Sequence, residues 1–206
     1  MVIGVDFDNT IICYDQLFHE VALRQGLIPP SVPVTKSQVR DYLRQHGKED
    51  AWIELQGYAY GACLHEAPPF PGAREFFARC KREGAAVHII SHKTRYPFQG
   101  PVYDLHDGAH RWLTNRGFYA PGEGELSPTH VYFESTKQNK LDRISSMGCE
   151  YFIDDLPEFL AEPDFPAHVE RILFDPNGRY SSDQRFPRIT SWGEAERFLF
   201  KQVASS

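Results

Sequence analysis

The chain has 206 residues, 22 of them basic and 28 acidic, and a net charge of −6. This acidic balance, with no Lys/Arg-rich block, gives no indication of nucleic-acid binding or of attachment to an anionic membrane, so we expect a small soluble substrate. Four cysteines without a CxxC pair, no basic leader and no apolar run near roughly 20 residues together predict a protein of the reducing cytoplasm that neither is exported nor spans a membrane.

The chain begins with an apolar, β-branched run at residues 2–7, which we predict to be a buried strand. The β signal then vanishes between Cys13 and Pro69. Three helical patterns follow one another there, at residues 16–25, 35–45 and 49–64, and a Pro-rich run at 68–72 ends them. We interpret residues 13–69 as a small helical cap inserted after the first strand.

Strands and helices alternate through the rest of the chain. The predicted strands are residues 85–91, 130–133, 151–154 and 171–174, and the predicted helices are residues 72–83, 104–116, 137–147 and a last helix that opens at Ser191. Parallel neighbouring strands need a crossover of about a dozen residues, which such helices supply. The sequence therefore predicts an α/β protein with a doubly wound, Rossmann-like parallel sheet, in which residues 1–12 and 70–206 form the core.

Two acidic pairs end predicted strands. The run Asp6-Phe7-Asp8-Asn9-Thr10 follows the first strand, and Asp154-Asp155 ends a later one. Ligands of open α/β sheets bind beyond the carboxyl ends of the strands. If both pairs lie at that edge, three or four carboxylates converge and need protons or a cation between them, and hard oxygen ligands select Mg²⁺. Turn formation is the structural alternative for each pair.

These motifs resemble those of the haloacid dehalogenase-like (HAD) superfamily. The resemblance extends over nearly the whole chain and rests on four ordered motifs, namely Asp6-Phe7-Asp8-Asn9-Thr10, Ser91 at a strand end, a lysine at 140 or 137, and Asp154-Asp155. It implies a HAD-like fold with a small helical cap. It also implies a Mg²⁺-dependent phosphohydrolase.

The resemblance implies a role for each acidic residue. Asp6 would be the nucleophile that forms an aspartyl phosphate, which divides one hard displacement into two easier ones. Asp8 would protonate the leaving alcohol and then deprotonate the attacking water. Mg²⁺ would be held by Asp6, Asp154 and the main-chain carbonyl of Asp8. Asp155 would act on the metal-bound water or on Lys140 without binding the metal itself.

Polar residues near the motifs would bind the phosphate and the rest of the substrate. Ser91 and a lysine would hold the non-bridging phosphate oxygens, because phosphoryl transfer depends on positioning and charge neutralisation. We favour Lys140 over Lys137 for this role, since an apolar helical stripe begins directly after Lys140. Further substrate-binding candidates are Asn9, Thr10, His92 and Lys93.

The second aspartate of the first motif narrows the reaction. Dehalogenases and P-type ATPases of the superfamily lack this residue, so Asp8 favours hydrolysis of a small phosphorylated metabolite, of the nucleotide or sugar phosphate class. A phosphomutase is one alternative. A non-hydrolytic phospho-accepting or ligand-binding protein is another, although Asp8 would hydrolyse the long-lived acyl phosphate that a phospho-accepting protein needs.

Overall fold

The computed structural model describes residues 1–200. Its strands are β1 (Val2–Val5), β2 (Ala86–His92), β3 (Val131–Glu134), β4 (Tyr151–Asp154), β5 (Glu170–Phe174) and β6 (Arg188–Ile189). Its helices are α1 (Asp15–Arg24), α2 (Lys36–Gln45), α3 (Glu49–Gly61), α4 (Ala73–Arg82), α5 (Leu105–Asn115), α6 (Lys137–Ser146), α7 (Pro157–Leu160) and α8 (Trp192–Leu199). No helix in this range is long and apolar enough to cross a bilayer. The sequence also predicts a frayed end at Ala204, Ser205 and Ser206, which lie outside the described residues.

The six strands form one parallel sheet in the order β3-β2-β1-β4-β5-β6. Strand β1 is central, because Val5 pairs with Ile89 of β2 on one side and with Ile153 of β4 on the other. The chain builds one half of the sheet outward from β1 and then crosses to build the other half. This reversal of strand order opens a crevice at the carboxyl end of β1. The predicted doubly wound α/β fold is confirmed.

Neighbouring residues of the strands belong to two separate apolar clusters. Ile89 and Ile153 pack with residues of α1–α5 and α8, whereas Ile90 and Phe152 pack with residues of α6 and α7. Because side chains alternate between the faces of a strand, the two clusters lie on opposite faces of the sheet. Both faces are therefore covered, as a parallel sheet requires.

The insertion after β1 contains α1, α2 and α3, and its two linkers lie side by side. Ile12 forms an antiparallel bridge with Pro69, the amide of Cys13 donates to the carbonyl of Pro68 at 2.9 Å, and the amide of Phe70 donates to Ile11 at 2.8 Å. The chain thus leaves and re-enters the sheet region at one point. The division into a core and a cap at residues 13–69 stays a prediction.

Two of the described elements lie outside the sequence prediction. Strand β6 has two residues and α7 has four, so neither is long enough to show a periodicity. The sequence predicts that the first strand extends to Phe7, but β1 ends at Val5. The amide of Asp6 still donates to the carbonyl of Ile153 at 2.9 Å, which extends the ladder to the first acidic residue.

Helix α3 and the loop after β2 approach closely at two glycines. A Cβ atom on Gly57 would lie 2.9 Å from the carbonyl oxygen of Gln99, and one on Gly61 would overlap the ring and Cβ of Tyr103. Contacts this short are closer than a side chain tolerates. The two glycines therefore permit the insertion to pack on the loop that leads away from β2.

We expect Gly61→Ala to destabilise the protein by about 1–3 kcal/mol, because the added methyl group overpacks the contact with Tyr103. The measurement is the free energy of unfolding in urea. Gly108→Ala in α5 is the matched control, since its nearest neighbour would be Leu64 Cδ2 at 3.7 Å, an ordinary contact. This control is expected to be neutral or stabilising by up to about 1 kcal/mol. Equal effects of the two substitutions would contradict the packing argument.

Candidate active site

The first acidic motif forms a tight turn at the carboxyl end of β1. The amides of Ile11 and Ile12 both donate to the carbonyl of Phe7, at 3.1 and 3.2 Å. Asn9 adopts a left-handed conformation with φ of 57°, which asparagine tolerates better than most residues. The ring of Phe7 is buried between those of Trp112 and Phe133, each 5.6 Å away. This packing anchors the turn that carries Asp6 and Asp8.

Lys140 connects the two acidic motifs. Its ammonium nitrogen lies 2.7 Å from Oδ1 of Asp6 and 2.6 Å from Oδ2 of Asp154, and all three side chains are buried. Helix α6 is capped by Thr136 and places Lys140 one turn from its start, while the ring of Phe159 lies 4.0 Å from the ammonium group. Lys137 is exposed and pairs with Glu162 at 2.8 Å. The structure thus brings Lys140, and not Lys137, to Asp6.

Asp155 joins Asp6 and Asp154 in a cluster of three carboxylates. One oxygen from each lies within 4.8 Å of the other two. The remaining oxygen of Asp154 accepts a hydrogen bond from the amide of Leu156 at 2.9 Å. Clustered carboxylate oxygens are the donor set that Mg²⁺ prefers, so these residues fit the ion. The sequence predicts that Asp155 acts without binding the metal itself, but its oxygen lies within the same 4.8 Å limit, so Asp155 could also bind the ion.

The charges in this cluster are unbalanced. Burial raises the pKa of Asp154 to about 7, with Asp6 acting in the same direction and Lys140 against it. Burial and the charge of Asp154 also raise the pKa of Asp155 well above its usual value. Burial acts to lower the pKa of Lys140, but Asp154 and Asp6 outweigh it, so the ammonium group stays charged. Without a further cation the cluster therefore favours protonated carboxyls, and a divalent cation would take the place of these protons.

Asp8 lies in a different environment from the other aspartates. The ammonium group of Lys93 contacts both of its oxygens, at 2.8 and 2.9 Å, and the hydroxyl of Tyr14 donates to Oδ1 at 2.6 Å. Burial acts to raise the pKa of Asp8, but the charge and hydrogen bond of Lys93 and the hydrogen bond of Tyr14 outweigh it. The pKa of Asp8 is therefore lowered from its usual value. Asp8 is therefore ionised, which suits a general base better than a general acid.

The remaining predicted residues lie around this centre. Ser91 is buried next to the end of β2, at the level of Phe133 of β3. The hydroxyl of Thr10 is buried and has no hydrogen-bond partner within residues 1–200. His92 is exposed and its Nε2 lies 3.2 Å from the carbonyl oxygen of Ser135. Their roles, like those of the acidic residues, stay predictions.

Three residues of the insertion approach the site and were missed from the sequence. Tyr14 contacts Asp8, and the ring of Tyr60 lies 4.9 Å from the ammonium nitrogen of Lys93. Lys36 lies over the same pair of aromatic rings. No local motif marks these residues, because they reach the site through the packing of α1, α2 and α3. Only the short distance of Tyr14 from the first motif could have pointed to one of them.

Solved structures match this fold over nearly its whole length, whereas no protein-family model and no curated protein matches the chain. A HAD family hydrolase from Deinococcus radiodurans, with bound phosphate and sodium, has a TM-score of 0.62 at 18% identity and covers 97% of this chain and 95% of its own. YfnB of Bacillus subtilis, bound to magnesium, has a TM-score of 0.57 at 13% identity, with 96% and 97% covered. A dehalogenase has a TM-score of 0.55 at 12% identity, with 98% and 97% covered. The chain therefore has the fold of the HAD-superfamily hydrolases.

We expect Lys140→Met to destabilise the protein by about 3–5 kcal/mol, because it leaves the buried carboxylates of Asp6 and Asp154 without their cation. The measurement is urea unfolding in a metal chelator at about pH 8, above the pKa of about 7 of Asp154. Lys137→Met is the matched control in the same helix and removes only the exposed pair with Glu162, worth less than about 1 kcal/mol. An unchanged free energy of unfolding in Lys140→Met would show that the carboxylates do not depend on this lysine.

Proposed function

We propose that the chain is a member of the HAD superfamily and a Mg²⁺-dependent phosphomonoester hydrolase that acts through an aspartyl phosphate at Asp6. The position of Lys140 carries this proposal, since one ammonium group contacts both Asp6 and Asp154 beside a third carboxylate. A nucleophilic carboxylate beside a fixed cation, at the carboxyl end of a parallel strand, is suited to phosphoryl transfer. The substrate is a small phosphorylated metabolite.

Each residue has a distinct task in the proposed reaction. Asp6 attacks the phosphorus atom, and the bond to the leaving alcohol breaks. Lys140 keeps Asp6 oriented and its charge favours the negative phosphoryl group in the transition state. Asp6, Asp154 and Asp155 would hold Mg²⁺, which supplies further positive charge at the phosphate. Ser91, buried next to the end of β2, would donate to a phosphate oxygen.

Asp8 would serve both halves of the reaction, with Lys93 controlling its proton affinity. In the second half, ionised Asp8 removes a proton from the water that hydrolyses the aspartyl phosphate. In the first half the same carboxyl must be protonated to release the alcohol. An incoming phosphate competes with Asp8 for the ammonium group of Lys93, and loss of that partner raises the pKa of Asp8.

The contact between Lys93 and Asp8 also gives a reason to keep the phospho-accepting alternative. If Lys93 and Tyr14 kept both oxygens of Asp8 occupied after phosphorylation, the carboxylate would not reach a water molecule and the acyl phosphate would persist. Acid quenching after mixing with a phosphate donor separates the two functions. A phosphoenzyme that decays within the turnover time supports hydrolysis, and one that persists supports a phospho-accepting protein.

We expect the wild-type protein to hydrolyse p-nitrophenyl phosphate with Mg²⁺ and Asp6→Asn to abolish the activity, because the amide is a poor nucleophile. Circular dichroism checks that the variant is folded. Asp50→Asn, an exposed residue in the first turn of α3, is the matched control and should keep full activity. Turnover by Asp6→Asn near the wild-type rate would refute the nucleophile assignment. Chloroacetate tests the dehalogenase reaction in the same assay series.

We expect chelation to stop turnover and Mg²⁺ to restore it, with a pH-dependent effect on stability. Without metal, the folded form holds the proton of Asp154 more tightly than the unfolded chain, because its pKa is about 7. This proton's contribution to stability is therefore lost as the pH rises from about 4 to about 7. Mg²⁺ needs ionised carboxylates and should raise the melting temperature more at about pH 8 than at about pH 5.5. An equal rise at both values would argue against this metal site.

A further inference from the structure

Lys36, the first residue of α2, places a positive charge in an aromatic setting. Its ammonium nitrogen lies 5.6, 5.4 and 5.3 Å from the ring centroids of Tyr14, Phe18 and Tyr60. The side chain is half-buried, and within residues 1–200 no carboxylate lies within 4.0 Å of it. The faces of aromatic rings attract an ammonium group, but they do not replace the direct contact of an anion.

The main chain at Lys36 is tied to the core of the protein. Its amide donates to Oδ1 of Asp15 at 2.9 Å, and Oδ2 of Asp15 accepts a hydrogen bond from Asn177, in the loop after β5, at 3.0 Å. Arg179 of the same loop lies 3.6 Å from Asp15. Thr35 caps the helix by accepting from the amide of Gln38. The start of α2 is thus held in a fixed position relative to the sheet.

Lys36 lies on the Asp8 side of the site. Tyr14, whose ring lies near Lys36, donates its hydroxyl to Asp8, and the ring of Tyr60 is near the ammonium groups of both Lys36 and Lys93. Burial acts to lower the pKa of Lys36, but Tyr60 and the carboxylates of Asp8 and Asp155 outweigh it, so the group stays protonated.

The other two lysines of the site have partners. Lys140 contacts Asp6 and Asp154, and Lys93 contacts Asp8. Lys36, in contrast, has no carboxylate within 4.0 Å among residues 1–200, so its ammonium group is open to direct contact with an anion beside the proposed acid/base. Because an acid/base must touch the oxygen of the leaving alcohol, this position is where the leaving group of the substrate would lie.

We infer that Lys36 binds a second anionic group, a carboxylate or a second phosphate, on the leaving-group part of the substrate. This inference rests on the proposed function and narrows its substrate class. The preferred substrates are then phosphorylated acids or bisphosphates, and not phosphate esters of neutral alcohols. The aromatic rings hold the ammonium group in place before the substrate arrives, which lowers the entropy cost of binding.

Matched substrate pairs test this inference. The pairs are 3-phosphoglycerate against glycerol 3-phosphate, for a carboxylate, and fructose 1,6-bisphosphate against fructose 1-phosphate, for a second phosphate. We expect Lys36→Met to lower kcat/KM roughly 10- to 100-fold for the member with the second anionic group in at least one pair. The loss should come mainly through KM, as for loss of a hydrogen bond to a charged group. For the members without a second anionic group, kcat/KM should change less than about threefold. Lys36→Arg should keep the preference.

Lys48→Met is the matched control, because Lys48 is an exposed lysine of the same insertion. It should leave both members of each pair unchanged. Equal losses of kcat/KM on the members with and without the second anionic group, or no loss on either, would overturn the inference. Circular dichroism with melting curves excludes unfolding as the cause of a uniform loss.

Binding to the Asp6→Asn protein separates the inference from the proposed function. Calorimetry with 3-phosphoglycerate and fructose 1,6-bisphosphate should show binding that weakens when Lys36→Met is added, with glycerol 3-phosphate unaffected. If this holds while the wild-type protein hydrolyses no phosphate ester, the proposed function fails and the anion site stands. If the wild-type protein hydrolyses esters and neither measurement depends on Lys36, the anion site alone fails.

Discussion

The ammonium group of Lys140 lies between two buried carboxylates, and the geometry of the site depends on this contact. Asp6 and Asp154 come from neighbouring strands and would repel each other without a cation. The helix that supplies the lysine is the crossover between β3 and β4, so the connection that completes the parallel sheet also delivers the counter-charge. Burying such charges is costly unless they are paired, and buried clusters of this kind are typical of functional sites.

Three lysines from three parts of the chain lie in three different regions of the site. Lys140 of α6 contacts Asp6 and Asp154, and Lys93 after β2 contacts Asp8. Lys36 of the insertion lies beyond Asp8, over aromatic rings. In the proposed reaction the core would thus provide the groups for phosphoryl transfer, whereas the insertion would provide the groups that distinguish one leaving alcohol from another. This division agrees with the general use of a rigid scaffold for chemistry and of inserted segments for selection.

The sequence predicts most of the fold because apolar periodicity and strand length are local properties. It also predicts the edge at which Asp6 and Asp154 meet, since parallel strands end together, and the apolar stripe after Lys140 distinguishes this residue from Lys137. The contact between Lys93 and Asp8 joins residues 85 positions apart and depends on side-chain directions that no pattern reveals. The closeness of Asp155 has the same origin. These are the features that only the three-dimensional packing could supply.

The paired linkers at Ile12 and Pro69 have a mechanical consequence. Two segments joined by antiparallel hydrogen bonds form a short ribbon, which holds the two ends of the insertion side by side. The insertion is attached a second time at the start of α2, where Asp15 accepts hydrogen bonds from the amide of Lys36 and from Asn177 of the loop after β5. Tyr14 lies two residues past the ribbon and Lys36 lies at the second attachment, so both are held in place relative to Asp8. A substitution that breaks either attachment would therefore change the room for the leaving group beside Asp8.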